Sequence, residues 1–231
     1  MFDNLGNQIY QAIVYSDRWQ LYLQGLGSTF EITLMAVAIG LVIGIFVAVA
    51  KDSFKDVKGM KWLVVVLNVY TTIIRGTPMV VQLMIMYFIV FASSGADAII
   101  IAGLAFGINS GAYVSEIVRA GINSIPKGQT EAGRSLGLSK GQTMNKIIMP
   151  QAIKNVLPAL GNEIIVLFKE TSIVGYIAIM DLPRAADLIR SRTFQPLVPL
   201  LLIAGIYLVI VLILTYFLGR LEKRMAASEQ R

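Results

Sequence analysis

The stretch TFEITLMAVAIGLVIGIFVAVA, residues 29–50, carries a single charge, Glu31, close to its start. As a helix rising 1.5 Å per residue it is about 33 Å long, enough to cross a hydrocarbon core of about 30 Å. Lipid offers the backbone no hydrogen bonds, so a run of this kind is satisfied only as a helix. Working outward, a basic loop with Lys51, Lys55, Lys58 and Lys61 follows. Residues Trp62–Phe91 are largely apolar but interrupted by Arg75-Gly76-Thr77-Pro78. Each half of that stretch makes only about 21 Å of helix, too short to cross, so together they form one long or broken span. Ala98–Val118 reads as a third span, Pro150–Met180 as a fourth and Leu197–Leu218 as a fifth, with a polar segment reaching from the third to about Met149. Upstream, residues 8–24 mix apolar and polar positions, which predicts an amphipathic helix lying in the membrane interface.

Composition agrees with an all-α integral membrane protein, a single domain over residues 1–231. Apolar residues make up 56% of the chain and charged residues 15%, below the roughly 25% of soluble domains. The absence of cysteine excludes disulfides and thiolate chemistry, and the absence of histidine removes the commonest metal ligand and general base. No cofactor or metal is expected. The formal charge of +6 fits loops facing an anionic inner leaflet better than nucleic acid. No cleavable signal peptide is expected, because the first twenty residues lack an apolar run behind a basic start.

Orientation follows from the loop cations. With the N-terminus outside and the C-terminus inside, the Lys51–Lys61 loop, the Arg119–Lys154 segment and a tail with Arg220, Lys223, Arg224 and Arg231 face the cytoplasm. Arg18, Arg184, Arg190 and Arg192 fall on the other side, which is an imperfect fit to the positive-inside rule. Gly40 and Gly44, and Gly103, Gly107 and Gly111, repeat at four-residue spacing, so helices approach closely there, within one chain or between chains.

The segment 126–149 is more ordered than a plain loop. Ser124-Ile125-Pro126 sets up a helix start. The helix runs through Glu131-Ala132-Gly133-Arg134-Ser135-Leu136, and Gly137 suits the left-handed position that ends it. Ser139 and Gln142 have capping-box spacing and predict a second short helix, halted near Pro150. Ala132 and Leu136 share a face. A compact cytoplasmic protrusion with a small apolar patch suits protein docking.

These residues resemble the "EAA" signature of ABC importer permeases: EAA, three residues, Gly, nine residues, Ile, any residue, Leu-Pro. Here Glu131-Ala132-Gly133, Gly137, Ile147 and Met149-Pro150 follow that order, with Gly133 in place of the second Ala and Met149 in place of Leu. Arg75-Gly76-Thr77-Pro78 with Gln82, Ser115-Glu116-x-x-Arg119, Lys127-Gly128-Gln129 and Lys169-Glu170-Thr171-Ser172 are similar to segments of the polar amino-acid (histidine, glutamine, arginine) permeases. The resemblance covers roughly Leu23 to Leu221. It implies a five-helix bundle of the ABC importer type in a prokaryotic inner membrane, paired with a second permease subunit, most simply a copy of itself. It further implies two separate ATPase subunits and an extracytoplasmic amino-acid-binding protein. Glu131, Ala132, Gly133, Leu136 and Gly137 would then belong to the coupling helix that seats in the ATPase. The chain holds no GxxxxGK[ST] loop of its own. Leu138-Ser139-Lys140-Gly141-Gln142 is one change from the LSGGQ of ABC ATPases, a coincidence without a nucleotide-binding domain around it.

Ionisable groups at membrane depth are costly and usually functional. Arg75 lies near the middle of span two and Glu163 near the middle of span four. They either lock the bundle, by pairing with each other or with carbonyls, or bind substrate. Thr77 as an N-cap and Pro78 as a first helical residue would start a half-helix beside Arg75 that favours an anion. Asn162 and Thr72 are further candidates. Glu116 and Arg119 read as an interfacial ion pair, Glu31 as solvated, and Lys169 and Glu170 have no assigned role. A zwitterion held by Arg75 at its carboxylate leaves Glu163 for a basic side chain, so arginine, lysine or histidine is the expected cargo, with glutamine as the alternative. A secondary transporter using Glu163 as an ion carrier would have no use for the protrusion at 126–149, and an assembly scaffold would leave Arg75 and Glu163 unexplained.

Overall fold

The computed structural model describes residues 5–55 and 57–227; Arg231, counted above in the tail, lies outside them. Among the described residues the chain is helical without strands. The principal helices are α1 (Leu5–Ile9), α2 (Trp19–Phe54), α3 (Lys61–Gly76), α4 (Met79–Ile85), α5 (Ala98–Asn123), α6 (Lys127–Ser135), α7 (Lys140–Thr143), α8 (Met149–Glu170), α9 (Leu182–Thr193) and α10 (Leu197–Ala227). Three of them, α2, α5 and α10, are long and apolar enough to cross a membrane, and α3 with α4 makes a fourth candidate broken at Thr77–Pro78. At 22 residues α8 is about 33 Å long, but Lys154, Glu163, Lys169 and Glu170 keep it outside that group. Apolar side chains stay exposed along α10 (Leu201, Leu208, Val209, Leu212) and α2 (Leu34, Val42, Phe46). Patches of this extent suit lipid rather than water as the solvent.

The chain comprises two compact units, one of Met1–Ala38, Thr77–Gly107 and Ile165–Leu214, the other of Ile39–Gly76, Ile108–Ile164 and Thr215–Arg231. In the first, Ile32, Leu83, Phe106, Leu167 and Val174 form the core. A second cluster gathers Tyr22 of α2 with Leu182, Ala185, Ala186 and Ile189. The spacing of those last four puts them on one face of α9, leaving Arg190 and Asp187 outside. This helix occupies the connection between the fourth and fifth spans expected from the sequence. Its start is fixed by Asp181, fully buried, whose carboxylate accepts from Arg184 N at 2.7 Å and Gly175 N at 3.1 Å. Burial pushes the Asp181 carboxyl up, and the two N–H bonds draw it back. Beside it, α2 comes so close that a Cβ on Gly25 would lie 2.5 Å from the Asp181 carbonyl carbon.

One expectation for this unit fails. Residues 8–24 are not a single amphipathic helix: α1 passes into a π turn at Tyr10–Val14, and the chain kinks where Ser16 and Asp17 take φ of 54° and 53°. The kink lets Arg18 turn inward, where it is buried, stacks 5.0 Å over Tyr15 and donates to the Gln11 carbonyl. Residues 19–24 already belong to α2.

In the second unit Ala48, Val114, Val118 and Val156 form the core. The glycine ridge is consumed here. A Cβ on Gly40 would lie 2.9 Å from Ser110 Cβ, one on Gly44 2.4 Å from Val114 Cγ1, and one on Gly111 2.7 Å from Ile43 Cγ2. Packing of α2 against α5 within one chain therefore accounts for these three glycines.

The Gly25 contact gives a paired test. In detergent, Gly25→Ala should cost about 1–3 kcal/mol, since the clash is with backbone that cannot swing aside. Gly27→Ala, with nothing within 4 Å, should be neutral or gain up to about 1 kcal/mol in helix propensity. Thermal unfolding of the two variants measures the difference, and equal midpoints would contradict the close approach.

Candidate functional site

The polar residues of the second unit converge on α5. Arg75, in the last turn of α3, has its side chain 44% exposed, with Nη1 3.8 Å from Glu116 Oε2 and its guanidinium carbon 5.4 Å from the Tyr113 ring centroid. Glu116 also accepts from Lys51 Nζ at 3.3 Å and from Arg119 at 2.5 Å (Nη2) and 3.1 Å (Nε). Lys51 is 7% exposed and donates in addition to Thr71 Oγ1 at 2.9 Å. Three cations from α2, α3 and α5 thus share one carboxylate, and the cluster keeps an excess of positive charge. Three residues before Tyr113, Ser110 Oγ donates to Glu163 Oε1 of α8 at 3.2 Å. Ser110, Tyr113 and Glu116, spaced by three, form a polar stripe on α5 about 9 Å long.

Both ionisable residues singled out from the sequence contact this stripe from neighbouring helices, with other partners than expected. The counter-ion of Arg75 is Glu116, and Glu163 takes its hydrogen bond from Ser110. Glu116 and Arg119 do pair, but as part of the larger cluster. Lys51, read as a loop cation, is buried inside α2. Thr72 and Asn162 are exposed, whereas the neighbouring Thr71 is buried against Lys51. The available signal was the three-residue spacing of polar positions 110, 113 and 116 in a largely apolar helix. The half-helix start also differs: Pro78 stands at the N-cap of α4 with no side-chain cap, and Thr77 Oγ1 instead accepts from Gln82 Nε2 at 2.8 Å.

The protrusion is built as its local signals dictate. Pro126 precedes α6, and Gly137 takes φ +83° after it. Ser139 Oγ accepts from Gln142 N at 3.2 Å while Gln142 Oε1 accepts from Ser139 N at 2.8 Å, completing the capping box that starts α7. Capping thus accounts for the Ser139 and Gln142 of the LSGGQ-like stretch. Gly133 is buried, and a Cβ there would meet Thr143 Cγ2 at 2.7 Å and Ile147 Cδ1 at 2.8 Å, so α6 sits flush on the next segment. Glu131 and Ala132 face outward, and Leu136 is 80% exposed. The helix after the box does not stop near Pro150. It passes through a π turn at Met144–Ile148 into α8, with Pro150 in the first turn, where its missing N–H interrupts the ladder least.

Residues 40–227 match the family described as binding-protein-dependent transport system inner membrane component. The arginine transport system permease protein ArtQ of Bacillus subtilis is 41% identical over 90% of this chain and 93% of its own length. The putative glutamine transport system permease protein GlnP of Rickettsia typhi is 40% identical over 89% and 93% respectively. The crystal structure of an amino acid ABC transporter with histidines aligns over 97% of this chain and 99% of that one, with TM-score 0.83 and 40% identity.

Glu116→Gln should strand the buried Lys51 ammonium and cost about 3 kcal/mol or more. Adding Lys51→Met to it should restore most of that loss, because no unpaired charge then remains inside. Thermal melts of the single and double variants decide the matter; a double variant no better than the single one would mean that Glu116 does not neutralise Lys51.

Proposed function

This chain belongs to the family of binding-protein-dependent transport system inner membrane components, and from that premise we propose how it carries its cargo. It is a membrane-spanning permease subunit of an ABC amino-acid importer and no enzyme; ATP hydrolysis falls to a partner chain. In our reading the bundle has five spans, formed by α2, α3 with α4, α5, α8 and α10, with the N-terminus outside and the C-terminus inside. Lys55, Lys58 and Lys61 still favour that orientation after Lys51 is withdrawn into α2. Two copies form the pathway as a two-fold homodimer, above two ATPase subunits, and an extracytoplasmic binding protein delivers the substrate.

The observation that carries the cargo reading is the polar stripe of α5, with Arg75 toward one end and Glu163 at the other. Arg75 is held at 3.8 Å from its carboxylate, longer than a charge-assisted hydrogen bond of about 2.7–2.9 Å. Its guanidinium therefore keeps donors for an α-carboxylate. Glu163 then meets a basic side chain, with Asn162 and Thr72 as exposed polar neighbours. An acidic side chain would face Glu163 as a like charge in poorly screened surroundings. Relatives named for arginine and for glutamine leave glutamine as the second reading. A stand-alone ion-coupled carrier or a scaffold has no place for the binding-protein-dependent family to which the chain belongs.

The protrusion supplies the coupling. Glu131, Ala132 and the exposed Leu136 on α6 present an acidic and apolar face, and Gly133, Gly137 and the capping box at Ser139 hold it stiffly against the segment leading into α8. ATP-driven movement of a docked ATPase would travel through that segment to the spans.

Three measurements test these assignments. In the reconstituted complex Glu163→Gln should weaken arginine and lysine at least tenfold and spare glutamine, whereas Arg75→Ala should weaken all of them; an unchanged response of Glu163→Gln to arginine sinks the basic-cargo reading. Glu131→Lys, or deletion of Thr130–Leu136, should leave membrane insertion intact and abolish ATP-dependent uptake. Native mass of the wild-type complex should show two permease chains with two ATPases, and a functional complex holding one permease chain refutes the dimer.

A further inference from the structure

At the end of α2 a cavity of about 210 Å³ opens between three helices of one unit, lined by Lys51, Asp52 and Lys55 of α2, Val64 and Asn68 of α3, and Arg119 and Asn123 of α5. Among the described residues of its lining, the cations Lys51, Lys55 and Arg119 outnumber the acid Asp52. Asp52 is matched by Lys55 at 2.6 Å, and Lys51 and Arg119 share the single carboxylate of Glu116 with Arg75. Asn68 and Asn123 are exposed and bring amide donors from the other two helices. Donors converging from three sides suit a group with several anionic oxygens arranged tetrahedrally. Next to the cavity, α3 leaves Trp62, Val65, Val66 and Val69 exposed. That is an apolar strip with an indole at its end, where aromatic rings meet the membrane interface. A positive hollow beside an apolar face has the two chemistries of a phospholipid, a charged headgroup and a chain.

We propose that this cavity holds the phosphate of an anionic phospholipid, whose acyl chains lie along the exposed face of α3. Basic pockets between membrane helices bind such headgroups on general electrostatic grounds. Because Lys51 and Arg119 also hold Glu116, the bound phosphate braces the ends of α2, α3 and α5 around that carboxylate. The site is separate from Glu163 and from the α6 face, and it stands whichever amino acid is carried.

Trp62 supplies the probe. With Trp19→Phe as background, Trp62 is the one tryptophan of the 231 residues, and brominated lipids quench it on contact. In nanodiscs, brominated phosphatidylglycerol should compete for the position beside Trp62 about tenfold better than brominated phosphatidylcholine. The double variant Lys55→Gln/Arg119→Gln, at two half-exposed positions, should bring the ratio to about one. Asp52→Asn removes the acid and should raise the ratio, a change that loss of folding cannot mimic. Equal quenching by the two lipids in the parent chain, or a preference untouched by both variants, overturns the proposal. So does a preference abolished by inorganic phosphate but not by chloride at equal ionic strength, since the cavity would then take the free ion rather than the lipid.

Discussion

The Glu116 carboxylate is the point on which this half of the molecule depends. Burying an ammonium such as that of Lys51 without a counter-ion costs several kcal/mol in desolvation. Glu116 supplies that counter-ion and at the same time takes Arg119 from its own helix and Arg75 from α3. Helices in lipid lack the hydrophobic drive that collapses a soluble core, so polar contacts and close backbone approach must hold them. The glycines at 40, 44 and 111 bring α2 and α5 together, and Tyr70 OH ties α3 to the Ile108 carbonyl of α5 at 2.6 Å. Geometry and charge therefore converge on the same three helices.

The same cluster explains why a charged side chain can be paired and yet available. A single carboxylate divided among three cations satisfies none of them fully. Lys51 and Arg119 have the short contacts, and Arg75 has the long one and the ring of Tyr113. Arg75 is thus the most readily released, and it is the one the amino-acid reading requires.

Much of the fold was legible because its signals are local. Apolar runs mark α2, α5 and α10. Gly137 and the Ser139–Gln142 box fixed the protrusion within a dozen residues, with every hydrogen bond between near neighbours. The charges at 75 and 163 stood out because ionisable groups are rare at that depth. Their partners did not, because Lys51 meets Glu116 across 65 residues and Ser110 meets Glu163 across 53, separations that no periodicity encodes. Two local signals were passed over. Asp181-Leu182-Pro183 is an N-cap followed by proline in the first turn, followed by apolar positions at helical spacing, which describes α9. The break at Ser16 and Asp17 left less trace, since neither residue is the glycine that positive φ usually announces.

The π turn at Met144–Ile148 has a consequence for how relatives can differ. A π turn holds one residue more than the α-helical turn it replaces. Each residue of helix turns the chain by about 100° and advances it about 1.5 Å. Because Gly133 rests α6 on Thr143 and Ile147, the protrusion is carried on the very turn that holds the extra residue. Losing that residue would leave both α6 and α8 intact and every cap in place. It would still rotate the face bearing Glu131 and Leu136 by more than a quarter turn about the axis of α8. The phase of this turn is then a keyed joint between α6 and α8, and its length should drift far less than its composition.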